Sequence, residues 1–176
     1  MNPGIKIEDN FLEQNVFGEL QTIIMNERFD WHYTGTIDYE GQKDKFQFTH
    51  MFYIGMTPCS PHFKDLSPIL ELIQPVSIFR IKSNLLTKTP NIVKNAFHVD
   101  MNMPEENLKQ WTTSIFYLNT NDGYTEFQDG RIEMENTKVK SVANRLVTFP
   151  TNMNHTGTSC TDEKIRIVIN FDYYSK

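Results

Sequence analysis

Cysteine is almost absent. Cys59 and Cys160 are the only two in 176 residues, far apart and in no metal-ligand spacing. A disulfide scaffold or zinc knuckle therefore has no support, and a reducing compartment fits. Long apolar runs are missing as well: MNPGIKIEDN at the start has no apolar signal core, and no window approaches the roughly 18 apolar residues of a membrane span. A soluble cytoplasmic protein with no membrane partner is expected. Basic charge is short, with 17 Lys and Arg against 22 Asp and Glu, a formal charge of -5 and a pI near 5.5. That argues against a phosphate-tracking surface, so nucleic acid is not an expected partner. Internal repeats, low-complexity tracts and linkers are also lacking, and no Ser-His-Asp, Cys-His or paired-carboxylate arrangement stands out. What the chain does have is aromatic content, 13 Phe and 7 Tyr within 39% hydrophobic residues, which excludes a disordered chain. A single domain over 1–176 is expected.

NFLEQNVFGELQTIIMNERF places Phe11, Leu12, Val16, Leu20, Ile23 and Ile24 at helical spacing, and Asn10 with Glu13 resembles a capping box that starts the helix. From Trp31 the segments WHYTGTIDYE and KFQFTHMFYIG alternate like strands, with Gly41 in the turn between them. Ser67 and Pro68 open a second helix through ILELI, which Pro75 stops. Beyond it only strand-like runs follow: VSIFRIKSNLL, TTSIFYLN, YTEFQ, RIEMEN, KVKSV, RLVTFP and IRIVINFDYY, with turn signals at 121–123 and 129–130. The expected fold is mainly β, a double-stranded β-helix or jelly roll with N-terminal supporting α-helices and a core over about 77–174.

Two of the five histidines keep unusual company. His98 and Asp100 form a His-x-Asp step, and residues two apart in an extended chain point to one side. His155, just after RLVTFP, can supply a third ligand from a neighbouring strand. Two imidazoles and one carboxylate, with positions left open, are the donor set that non-haem Fe(II) oxygen chemistry uses. A His-x-Asp step alone is common in proteins that bind no metal. Arg166 adds weight: it lies eleven positions after His155 and shares a strand face with Val168, Asn170 and Asp172, placed for bidentate capture of a carboxylate. His32, His50 and His62 show no ligand spacing and read as structural. Cys160, near His155, is a candidate for oxidation.

The ordered motifs resemble the iron(II)- and 2-oxoglutarate-dependent dioxygenases, in particular the prolyl-4-hydroxylase-like branch and its small phage-encoded members, over Ser77 to Tyr174. HVD at 98–100 is similar to the family's first two iron ligands, and NRLVTFP leading into HTGTSC to the strand with the last one. IFYLNTNDGYTEF at 115–127 is similar to the hydroxylase stretch ending Gly-x-Thr-x-Phe, and RIVINF to the strand whose basic residue anchors 2-oxoglutarate. The resemblance implies His98, Asp100 and His155 as iron ligands, with Fe(II), 2-oxoglutarate and dioxygen required. It implies Arg166 on the C5 carboxylate with hydroxyls from Tyr117 and Thr125, and Asn170 in the cosubstrate pocket. Two features depart from the pattern: Arg replaces the Lys of collagen-type hydroxylases, and the upstream strand lacks the usual Tyr, for which Asn84, Lys82 and Arg80 are candidates.

The implied activity is hydroxylation of an unactivated C–H bond, coupled to conversion of 2-oxoglutarate to succinate and carbon dioxide. A peptidyl proline near His32, Arg80 and the loop after Asp100 is the first substrate expectation, with that loop as a lid; a free amino acid or small metabolite is the next. A phage-encoded chain would act in the host cytoplasm. A non-catalytic jelly-roll binding module is the alternative from a different class.

Overall fold

The computed structural model describes residues 4–37, 45–128 and 136–175. Gly41, the turn at 129–130 and all but the last residue of RIEMEN lie outside them. The elements run β1 (Lys6–Glu8), α1 (Gln14–Ile24), β2 (His32–Thr34), β3 (Gln47–Ile54), β4 (Thr57–Pro58), a 3-10 helix (Pro61–Leu66), α2 (Ser67–Ile73) and β5 (Ser77–Thr87). Then come α3 (Glu105–Leu108), β6 (Trp111–Tyr117), β7 (Tyr124–Phe127), β8 (Thr137–Lys140), β9 (Arg145–Pro150), β10 (His155–Gly157) and β11 (Ile165–Tyr174).

Among the described residues the strands form two antiparallel sheets. The larger is ordered β1-β9-β6-β11-β5-β3-β2 with β4 on β3, and the smaller is β10-β7-β8. This is the expected jelly roll. Strand periodicity separates its two cores. Phe116, Leu146, Ile167, Ile169 and Phe171 face Phe17, Leu20 and Ile24 of α1 and Ile69 of α2. Their sequence neighbours Ile115, Val147 and Val168 face Phe127 and Val139 of the smaller sheet. The second core lies inside the barrel and forms the floor of the site.

The helices start differently from the sequence reading. Asn10 has a left-handed φ of 51°, and α1 begins at Gln14 after Glu13 with no side-chain cap. The entry is fixed from across the chain: Asn144 Oδ1 accepts from the Leu12 amide at 2.9 Å, and Asn144 Nδ2 donates to the Leu12 carbonyl at 2.7 Å. Asn144 itself has φ 61°, a conformation that asparagine tolerates better than most side chains. Asn144→Ala leaves two buried backbone groups unpaired at about 1–3 kcal/mol each, so urea unfolding should show a loss of about 2–4 kcal/mol. A change well below that would mean water replaces the clamp.

Ser60, not Ser67, provides the cap near the second helix. It accepts from the His62 amide and opens the 3-10 turn that runs directly into α2. Gln74, left-handed at φ 47°, ends α2 just before Pro75. The segment after Asp100 is not purely a loop: it holds one helical turn, α3, docked by the buried side chains of Met101 and Leu108. A single turn after Pro104 is too short to leave a helical period in the sequence.

Candidate active site

β11 presents Arg166, Val168, Asn170 and Asp172 to the barrel interior, opposite Leu86, Asn84, Lys82 and Arg80 of β5. These rungs form a ladder with Arg166 at one end and the Arg80–Asp172 pair at the other. From the smaller sheet, Thr125, His155 and Gly157 close the same cavity, and His98 and Asp100 line it too. Asn84 and Asn170 sit between the two ends.

Backbone pairing sets the two histidines opposite each other. The His98 amide donates to the His155 carbonyl and the His155 amide to the His98 carbonyl, both at 3.0 Å. Each ring also has its Nδ1 3.1 Å from a carbonyl two residues upstream, Ala96 for His98 and Met153 for His155. A carbonyl can only accept, so Nδ1 carries the hydrogen and Nε2 turns its lone pair into the cavity. Phe149 and Phe127 pack against the His155 ring and hold its plane.

Asp100 completes the cluster. The ligand atoms of His98, Asp100 and His155 all lie within 4.8 Å of one another. His155 Nε2 is 3.2 Å from Asp100 Oδ2, yet Oδ2 is buried without a satisfied hydrogen bond. With Nδ1 already protonated, two lone pairs meet at that distance unless a cation, a proton on Nε2 or a metal ion, stands between them. Electrostatics records the same demand. Burial pushes the Asp100 carboxyl up, but in the metal-free protein a proton taken up on His155 Nε2, with Arg80 and His98, holds it well below the ordinary carboxylate range. Burial pulls His155 down, and Asp100 more than reverses this. A divalent ion meets that demand with two neutral imidazoles and one carboxylate, so the residues fit a metal of the iron type.

Arg166 makes the opposite demand. It is 3% exposed, and among the described residues no carboxylate pairs with it. Nε donates to Ser141 Oγ at 2.8 Å, Nη2 to Thr125 Oγ1 at 3.2 Å, and the guanidinium lies 5.7 Å from the Tyr117 ring centre. Burial lowers its pKa, but an arginine stays charged. An anion entering the cavity would supply the missing counter-charge. The Tyr117 hydroxyl donates to Thr125 Oγ1 at 2.7 Å, so Thr125 accepts twice and keeps its own hydrogen to give. Tyr117 therefore supports Thr125, and burial pushes the phenol up, which keeps it protonated.

The other singled-out residues fall elsewhere. His50 bonds the Asp30 carbonyl and Ser60, and His62 pairs with Asp65. His32 is exposed on the edge strand β2. The Cys160 thiol donates to the Glu163 carbonyl, and burial pushes its pKa up, which disfavours the thiolate that oxidation needs.

Two site residues escaped sequence reasoning. Ser141 sat inside the strand-like run KVKSV with nothing to mark it. Gly123 looked like part of a turn, but a Cβ there would lie 2.7 Å from Arg166 Cδ and from the Ser159 carbonyl oxygen. The missing side chain makes room for the arginine stem. Gly123→Ala should displace Arg166 and weaken anion binding in the cavity about tenfold, roughly half the value of one charge-assisted hydrogen bond. A 2-oxoglutarate titration followed by thermal shift checks this, and unchanged affinity would contradict it.

No family model and no curated protein matches the sequence. Solved structures do match in fold. A Trichoplax adhaerens prolyl hydroxylase, solved with a hypoxia-inducible factor peptide, aligns at TM-score 0.68 and 15% identity over 98% of this chain and 84% of its own. The α-ketoglutarate-dependent epimerase SnoN from nogalamycin biosynthesis aligns at 0.69 and 14% over 98% and 78%. A Pseudomonas putida prolyl-4-hydroxylase aligns at 0.64 and 12% over 98% and 93%. The chain thus has the fold of the 2-oxoglutarate- and Fe(II)-dependent oxygenases. Among the described residues no helix is long and apolar enough to cross a membrane.

Proposed function

We propose that this chain is an Fe(II)- and 2-oxoglutarate-dependent dioxygenase that hydroxylates an unactivated C–H bond. One observation carries the reading: a three-ligand set that needs a cation and a buried arginine that needs an anion share one cavity. His98, Asp100 and His155 would hold the iron, leaving coordination positions for the cosubstrate and dioxygen. The bound iron and 2-oxoglutarate supply the oxidation, with decarboxylation to succinate. Arg166 and Thr125 grip the distal carboxylate, and Tyr117 orients Thr125. Asn84 and Asn170, whose amide oxygens are buried without partners, border the other end of the cosubstrate. Val168 and Ile115 give the cavity an apolar wall that excludes water.

A peptidyl proline is the substrate we favour, supported by the two prolyl hydroxylases with this fold and the motif resemblance. A small metabolite is the second reading, because SnoN, from a natural-product biosynthesis, aligns equally well. The test is aerobic incubation with Fe(II), 2-oxoglutarate and either proline-containing peptides or a metabolite extract. Succinate release with a gain of one oxygen on a peptide proline supports the first substrate. The same gain on a metabolite supports the second. No succinate from either would favour a non-catalytic binding module.

A further inference from the structure

Beyond the ligand set, the far end of the ladder holds two charges that the proposed chemistry does not use, the largely buried Arg80 and the fully buried Asp172. Arg80 Nε donates to Asp172 Oδ2 at 2.9 Å, and Nη2 lies 2.7 Å from the same oxygen. That Nη2 also donates to Asp100 Oδ1 at 3.1 Å and to the Asp100 carbonyl at 3.2 Å. Asp172 is fully buried, and its Oδ1 accepts from Thr113 Oγ1 at 3.1 Å, which in turn pairs with Thr151 at 3.0 Å. Arg80 and Asp172 form the last regular pair before a register shift between β5 and β11, a place where strands often re-aim a side chain.

We infer that Arg80 and Asp172 are positioning residues that fix Asp100 as a one-oxygen metal ligand; this rests on the reading of His98, Asp100 and His155 as a metal site. Both Asp172 oxygens are engaged away from the cavity, so it is not a fourth ligand. Arg80 occupies Asp100 Oδ1 and the Asp100 carbonyl, fixing the carboxylate both by its oxygen and by its backbone. Oδ2 remains, and it is the oxygen that faces His155 without a satisfied hydrogen bond. A carboxylate held at one oxygen cannot swing to chelate with both, so Asp100 would offer a bound metal Oδ2 alone. A purely structural ion pair would be complete with Arg80 and Asp172 alone. The two bonds to Asp100 are surplus to it. Lysine keeps the charge but lacks the fork that spans two carboxylates.

Mn(II) alone is the probe, its affinity read by the electron paramagnetic resonance of the free ion, with the absorption spectrum of the Co(II) form as a second readout. Arg80→Lys and Asp172→Asn should weaken Mn(II) binding by about 10–100-fold, as loss of partners behind metal ligands does. They should also shift the Co(II) bands, while the metal-free proteins stay folded by circular dichroism. Should either variant unfold, Thr113→Val removes a single bond to Asp172 and should still move the Co(II) bands. Folded variants with wild-type Mn(II) affinity and Co(II) bands would overturn the inference and leave the metal site standing, provided Asp100→Ala abolishes binding. Wild-type protein that binds no Mn(II) would overturn both.

Discussion

Asp100→Ala and His155→Ala should each release the metal and bring succinate formation to background. Each removes one of three donors, and among the described residues no other His, Cys, Asp or Glu joins the cluster to replace it. Folding should survive in both. Asp100→Ala takes away a buried carboxylate whose desolvation is itself costly, and Arg80 keeps Asp172 as partner. His155→Ala opens space next to Phe127 and Phe149, at about 1–3 kcal/mol for a partly polar ring. Metal content by atomic emission, with succinate assayed in parallel, checks both. Undiminished turnover in either variant would remove that residue from the ligand set.

Arg166→Ala should leave metal binding intact and raise the 2-oxoglutarate requirement at least a hundredfold. The reason is additive: a charge-assisted hydrogen bond is worth about 1.5–3 kcal/mol, and a guanidinium can make two to one carboxylate. Losing about 3 kcal/mol corresponds to a factor of roughly 150 in affinity. The metal-free protein should not be much weakened, because Arg166 is buried with no carboxylate among the described residues to neutralise it. Arg166→Lys should recover part of the loss, since it returns charge without the fork. The split between unchanged metal affinity and lost cosubstrate affinity, measured by separate titrations, distinguishes an anchor from a folding residue. An unchanged 2-oxoglutarate dependence would place the anchor elsewhere.

Local motifs made much of this readable. His98 and Asp100 lie two apart, and Arg166 to Asp172 alternate on one strand, so the period of an extended chain alone brings each set to one face. His155 was placed by its position after a strand, and the structure adds the reciprocal backbone pairing that sets it opposite His98. Long-range pairs carried no such signal. Asn144 reaches Leu12, Ser141 reaches Arg166 and Arg80 reaches Asp172, each between segments whose adjacency only the sheet order creates. Gly123 was visible as a glycine but not as the space an arginine stem occupies. The start of α1 was misplaced for the same reason: its entry depends on Asn144 rather than on a local cap.

The most direct test is an anaerobic titration of the purified protein with Fe(II) and then 2-oxoglutarate, followed in visible absorption and by melting temperature. A weak charge-transfer band that saturates at one cosubstrate per chain, with a matching rise in melting temperature, is the expected result. Absence of the band together with no 2-oxoglutarate-dependent shift in melting would contradict the assignment of this cavity to iron and 2-oxoglutarate.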